Sequence, residues 1–210
     1  IRLSPGAHHI MVRETLPDWD RDTPVYFDVV QTGGEKPRTP SPEELATVAA
    51  AAIPPMVTKL VGWRASLYRK YPANEFVAPW MGLTSNGGLP NQAYSIGSFK
   101  LKDDEALVFD IGAGGAEYFS FQLSDIWGTS GNFVDHVSTL TNRQSYANPD
   151  GSMTYVVSIT DPGVQNWIST QGWHEGDITL RWQQVTGAPS VRARLVKLDE
   201  MPVFGLEGGQ

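Results

Sequence analysis

The stretch Glu105-Ala106-Leu107-Val108-Phe109-Asp110-Ile111-Gly112, followed after a glycine-rich turn by Tyr118-Phe119-Ser120-Phe121-Gln122-Leu123, decides how the chain is read. Leu107, Phe109 and Ile111 alternate with Val108 and Asp110, and Phe119, Phe121 and Leu123 alternate with Tyr118, Ser120 and Gln122. A period of two sends successive side chains to opposite faces of a strand. The pattern returns at Tyr155, Val157 and Ile159, and at Ile178, Leu180 and Trp182 against Thr179, Arg181 and Gln183. Further strands are predicted at Ser95–Leu101, Phe133–Leu140 and Arg192–Leu198. Turn signals separate them: Lys102-Asp103-Asp104, Gly112-Ala113-Gly114-Gly115 (read as a hairpin), Asn148-Pro149-Asp150-Gly151 and Asp161-Pro162-Gly163. Many short strands at this spacing imply an antiparallel β-sandwich or jelly roll. Leu107–Ile111 and Tyr155–Ile159 are apolar on both faces, as inner strands covered on each side should be.

Upstream the period is 3.6. Ser41 as N-cap, Pro42 at the first helical position and Glu44 three residues after the cap form a capping box. The predicted helix runs from about 42 to 53 through Leu45, Val48, Ala49 and Ala52, until Pro54-Pro55 stops or kinks it. A second helix is expected over about 56–69, with Val57, Leu60, Val61, Arg64 and Leu67 at three- and four-residue spacing. The pair is expected to pack over one sheet or cover a sheet end. The stretch Leu45–Ile53, cut off by the prolines, is too short to span a bilayer. Further towards the N-terminus, strands are predicted at His9–Arg13 and Val25–Gln31, joined by a polar turn over residues 17–22, with a loop at Thr32–Thr39. The whole reads as a single domain: strands and loop over 1–40, a helical segment over 41–72, the sandwich over 73–200 and a tail over 201–210. No internal repeat is evident.

The chain has 210 residues, with 16 Lys+Arg against 23 Asp+Glu, a formal net charge of −7. That balance counts against nucleic acid and anionic lipid as partners, because both need clustered cations. The absence of cysteine excludes disulfides, thiolate-bound zinc, iron–sulfur clusters and thiol nucleophiles. Twenty-one glycines and 15 prolines fit a turn-rich fold. The first residue is Ile1 and no charged leader with an apolar run follows, so a soluble chain, processed or cut from a longer protein, is expected. The compartment is left open.

No P-loop, dinucleotide fingerprint, H-E-x-x-H or G-x-S-x-G is present, so no cofactor is expected. His8 and His9 are adjacent and point apart on a strand, and His136, His174, Asp125 and Asp135 have no metal-ligand spacing; no metal site is assigned. The richest polar segment is Trp173-His174-Glu175-Gly176-Asp177, entering the strand that carries Arg181. One reading makes His174 a general base, Glu175 or Asp177 its orienting partner and Arg181 an electrostatic clamp on an anionic group. The other makes the segment a solvated turn whose aspartate caps the strand entry, with Arg181 bridging to a sheet carboxylate. Asp135-His136, adjacent in sequence, face oppositely on a strand and make a poor dyad. Of seven tryptophans, Trp127, Trp167, Trp173 and Trp182 fall in the strand half, where a flat indole can stack on a ring or plug the core. Trp182 shares the Leu180 face and is read as core, whereas Trp127 and Trp173 are candidates for a ligand wall.

The elements Val12-Arg13-Glu14, Asp18-Trp19-Asp20, Asn86-Gly87-Gly88, Asp103 to Val108, Tyr118-Phe119, Gln122-Leu123, Asp161-Pro162-Gly163-Val164-Gln165-Asn166-Trp167-Ile168, and Thr170-Gln171-Gly172 through Gly176 to Arg181-Trp182 together resemble a bacterial domain of unknown function. The match runs from about Met11 to Leu198. In actinobacteria and proteobacteria that domain is often the C-terminal β-sandwich portion of longer two-part proteins. The resemblance implies a jelly-roll-like sandwich preceded by helices, and an N-terminal portion missing here. It implies no settled activity and carries over no catalytic residue. Asn166-Trp167 is either a packing corner or a pocket rim.

Three functions remain open: a β-sandwich that binds, and if an enzyme transforms, a small ring-containing or largely apolar molecule in an aromatic-lined pocket, with Trp127, Trp167, Trp173 and Asn166 as its ligand residues; a non-catalytic carbohydrate-binding module; or an assembly domain pairing with the missing portion or with another copy.

Overall fold

The alternating stretches form β1 (Trp80–Met81), β2 (Gln92–Lys100), β3 (Glu105–Gly112), β4 (Tyr118–Ser124), β5 (Thr139–Thr141), β6 (Met153–Ser158), β7 (Trp167–Ser169), β8 (Glu175–Gln183) and β9 (Ser190–Lys197). The computed structural model describes residues 10, 12, 14–18, 20–35, 38–82 and 89–201. His8, His9, most of the predicted strand at 9–13, Trp19, Asn86-Gly87-Gly88 and residues 202–210 lie outside that set. The strands make two sheets, a five-stranded one ordered β1-β2-β8-β4-β5 and a four-stranded one ordered β7-β6-β3-β9. All pairs are antiparallel except β6 with β7, which is parallel. The chain changes sheet at most of its connections, so the fold is a β-sandwich built from non-consecutive neighbours.

The core lies between the sheets, where β3 contributes Leu107, Phe109 and Ile111, β4 Phe119, Phe121 and Leu123, and β8 Ile178, Leu180 and Trp182. The Phe109 ring stacks on Tyr155 at 5.4 Å and meets Phe121 edge-on at the same distance. Such aromatic contacts add to the stabilisation from area burial alone. The Tyr155 hydroxyl donates to Ser145 Oγ at 2.8 Å, and burial pushes its phenol well above the usual range. On the far face of the four-stranded sheet, Ala106, Val108 and Val156 form a second cluster beneath Val164, Trp167, Val196 and Leu198. Strands β3 and β6 are therefore covered on both faces, as their sequence required.

Several expectations give way to different local structure. The Gly112–Gly115 turn joins β3 of one sheet to β4 of the other, so it is an arch between layers and not a hairpin. Gly114 there has φ +58°, and a Cβ would meet the backbone of Ala188 and Pro189 at under 3 Å. Residues Val25–Gln31 are exposed and make no strand, because no described strand offers them a ladder; the Val25 amide donates to the Glu14 carboxylate instead. Of Phe133–Leu140 only the end is strand, from Thr139. The Asn132 side chain accepts from the amides of Val134 and Asp135, and that local turn bends the segment off the sheet.

The two predicted helices are one, α1 (Pro42–Lys70), with Pro54 and Pro55 inside it. Its capping box forms as read: Ser41 Oγ accepts from the Glu44 amide (3.2 Å) and Glu44 Oε2 from the Ser41 amide (2.7 Å). Arg38 grips the same carboxylate through both guanidinium nitrogens and holds it below the usual carboxylate range. The helix survives the prolines because this segment is exposed, so carbonyls left without an amide partner reach water. Nor does the helix lie over a sheet. Its buried residue among those described is Arg64, near its C-terminal end.

Candidate functional site

Alternation along β8 separates the predicted catalytic residues. Gly176, Ile178, Leu180 and Trp182 face the core, while Glu175, Asp177, Thr179, Arg181 and Gln183 face outwards from the five-stranded sheet. Asp177 and Arg181 share that face, but four residues of strand set them about 13 Å apart. His174 precedes the strand and is mostly exposed, its Nδ1 3.1 Å from the Leu101 carbonyl and its Nε2 3.8 Å from Asp103. Glu175 is exposed opposite Lys100. The structure does not bring the four together.

Asp177 has a different partner. Its carboxylate pairs with the Arg64 guanidinium of α1, and the two side chains are only 3% and 5% exposed. Arg64 also donates from Nε to the Ile126 carbonyl (2.8 Å) and from Nη2 to the Asp125 carbonyl (2.7 Å). The loop that receives it is pinned by Asp125 Oδ1, which accepts from the amides of Trp127 (2.9 Å) and Thr129 (2.8 Å). A buried ion pair is costly to desolvate unless further hydrogen bonds satisfy it, and here two carbonyls take up the other donors of Arg64. Arg64 is thus the root of the helix. The signal for it was a lone arginine within an apolar helical stripe.

The tryptophans divide. Trp182 is sealed in the core. Trp167 lies on the second cluster, its indole N–H donating to Ser158 Oγ (2.9 Å), and Trp173 packs on the rim of the main core. Asn166 is buried at φ +55°, donates from Nδ2 to the carbonyls of Tyr146 (2.8 Å) and Thr154 (2.9 Å), and accepts the Tyr146 amide on Oδ1. It is a packing corner. Trp127, at the tip of the pinned loop, is 57% exposed.

Two clefts open on the surface, the larger with mostly polar walls and the smaller with mixed ones. The larger, about 650 Å³, lies between the 18–21 turn and the 133–144 segment, and Asp18, Arg21, Asp135, His136 and Arg143 face it. The smaller, about 250 Å³, lies over the outer face of the five-stranded sheet beside Arg181 and is bounded by residues 14–16. Among the described residues no three His, Asp or Glu side chains converge as a metal site requires.

The most apolar surface is α1. Leu45, Val48, Ile53, Met56, Val57, Leu60, Val61 and Trp63 are all exposed, and at 100° per residue they cover more than half of the helix circumference. Joined across the prolines, Pro42–Ser66 is long and apolar enough to cross a membrane, and of it only Arg64 is buried. The length argument drawn from a helix ending at Ile53 is thereby overturned.

Solved structures similar to this chain include an uncharacterized protein from Burkholderia cenocepacia, 28% identical, covering 68% of this chain and 39% of that one with a TM-score of 0.60. Another is the VPA0106 protein from Vibrio parahaemolyticus, 16% identical, covering 75% of this chain and 47% of that one with a TM-score of 0.40. This chain spans less than half the length of either. Neither protein-family models nor curated proteins give a match. The Burkholderia neighbour, itself uncharacterized, agrees with the resemblance read from the sequence to a bacterial domain without a settled activity.

Proposed function

We propose that the chain is an assembly domain: a rigid sandwich that presents an apolar helical arm for burial against a further protein portion. The observation that carries this reading is α1, apolar over most of its circumference and exposed over nearly all of residues 42–63, yet held to the sandwich through Arg64. A helix apolar on most sides is stable only when enclosed, and a contiguous apolar patch of this extent marks a contact surface. The occupant we assign is another part of a longer polypeptide. The Burkholderia protein, whose sandwich this chain matches, carries more than half its length outside the matched part.

Docking is favoured over membrane crossing by the way the chain is tied at both ends. Before the helix, Gln183 Nε2 donates to Thr15 Oγ1 (3.2 Å) and Thr141 Oγ1 to the Pro17 carbonyl; after most of it, Arg64 meets Asp177. All three attachments are on the five-stranded sheet. A spanning helix would force residues 24–41, of which the described ones form neither helix nor strand, back through the hydrocarbon with unpaired backbone groups.

The test is hydrogen exchange on the longest natural polypeptide containing this chain, beside the 210-residue chain alone. Amides of residues 45–63 are expected to be protected in the former and open in the latter, and Leu60→Glu to open them in both while leaving the sandwich amides unchanged. Equal, weak protection in both proteins, unmoved by Leu60→Glu, would reject the reading. Protection in the 210-residue chain that rises with its own concentration would reject the assigned occupant in favour of a second copy.

A further inference from the structure

We propose that the groove over Arg181 is a binding site for small organic carboxylates. The proposal does not rest on the docking arm, whose Arg64–Asp177 root lies on the same face of the sheet, four residues along β8 from Arg181.

Arg181 stands in the middle of β8, with Tyr94 of β2 opposite on one side and Ser120 of β4 on the other. Its guanidinium lies over the Tyr94 ring, 5.4 Å from the centroid. Stacking of this kind fixes the plane of the fork and leaves its N–H edge directed away from the ring. No carboxylate pairs with it among the described residues, unlike Arg194, which meets Asp110 at 3.0 Å, or Lys197, which meets Asp104 at 2.7 Å. Two carboxylates on or beside this face have other partners. Asp177 is held by Arg64, and both oxygens of Glu14 at the groove rim accept the Val25 amide at 2.9 and 3.0 Å. A guanidinium stacked on a ring and without an ion-pair partner among the described residues is placed to take an external anion. Its planar donor fork matches a carboxylate in a two-point geometry.

The walls define the rest of the ligand. Residues 14–16 cross the sheet as a strap, fastened by Thr15 to Gln183 and by Pro17 to Thr141, and border an open groove of about 250 Å³. That is below the range that takes a drug-sized molecule, so the occupant is small. The hydroxyls of Tyr118 and Ser120 and the Gln183 amide offer hydrogen bonds beside the guanidinium, and Leu16 with the Tyr118 ring supplies an apolar flank. A hydroxy acid or a single-ring carboxylate fits this set.

The experiment is an NMR titration of the 210-residue chain with lactate, benzoate, glucose and inorganic phosphate at constant ionic strength. Lactate or benzoate is expected to bind with a Kd of roughly 1 mM or below, shifting amides around Tyr94, Ser120 and Arg181, while glucose shifts none. Arg181→Gln is expected to weaken carboxylate binding at least tenfold. Arg181→Lys keeps the charge without the fork, and is expected to fall between. Arg181 is exposed, so both variants should keep the wild-type melting temperature, and a melt is run to check it. Binding unchanged in Arg181→Gln, phosphate binding as tight as either carboxylate, or no shift from either carboxylate would each overturn the proposal. Leu60→Glu in α1 should leave the titration unaltered, which separates this outcome from that of the docking arm.

Discussion

Asp177 illustrates how much a single position depends on what faces it. Beside His174 and Glu175 in the sequence it looked like part of a polar cluster, but the pleat turns it to the outer face of the sheet, against a guanidinium 113 positions earlier in the chain. No local pattern encodes that distance. Removing one partner of such a pair leaves the other buried and uncompensated, so Asp177→Ala should cost about 3–5 kcal/mol. Arg64→Met combined with Asp177→Ala should cost clearly less than Asp177→Ala alone, because the orphaned charge goes with its partner. Urea denaturation of the three proteins measures both differences. Asn166 is the opposite case, since the turn Asp161-Pro162-Gly163 before it was legible. The residue type is explained by its left-handed φ and by three hydrogen bonds that neither alanine nor aspartate reproduces. Arg181 lies between the two. Its chemistry, a clamp for an anion, was open in the sequence, and its stacking on Tyr94 was not.

Among the elements, the strands of the sandwich could be read because burial on one or both faces imposes a strict period. The predictions around β2, β3, β4, β6, β8 and β9 hold within a few residues. Alternation without a partner strand misled at Val25–Gln31, where apolar residues recur but nothing completes the ladder. Helix α1 was misread for a different reason. Proline disfavours the helix interior by about 3 kcal/mol relative to alanine in model hosts, yet favourable segments on both sides of Pro54-Pro55 keep one axis. The capped alanine-rich half lies before the prolines and the Arg64 root after them. The strain should show as local opening at the joint. Replacing both prolines with alanine should raise amide protection over residues 54–61 and leave the sandwich amides unchanged, as hydrogen exchange can resolve.

Across the whole molecule, the ends of the four-stranded sheet are fastened by charge. Lys197 of β9 reaches Asp104 at 2.7 Å and Glu105 at 3.2 Å. The Lys197 hydrogen bond holds the Asp104 carboxyl below its ordinary value; the Lys102 backbone amide does so chiefly for Glu105, with Lys197 assisting. Asp104 in turn holds the Lys197 ammonium above the usual lysine range. Carboxylates lowered on folding stabilise above their unfolded pKa and lose that contribution as pH falls through the folded value. A lysine raised on folding stabilises below its unfolded pKa and loses it as pH rises through the folded one. The network therefore supports the fold from roughly pH 5 to pH 10 and weakens beyond either end. Lys197→Met should flatten the melting temperature against pH at the acid end, where the carboxylates then titrate nearer their ordinary values.

The sheet margins have one further consequence. The outermost strands of the five-stranded sheet, β1 and β5, are two and three residues long, as is three-residue β7 at one margin of the other sheet, and β9 at the remaining margin carries Arg192, Arg194 and Lys197. Stubs and a margin lined with charged side chains make poor templates for an incoming backbone. Crowded solutions of this protein should therefore yield particles of finite size, joined by greasy helices, and not ribbons that lengthen without limit.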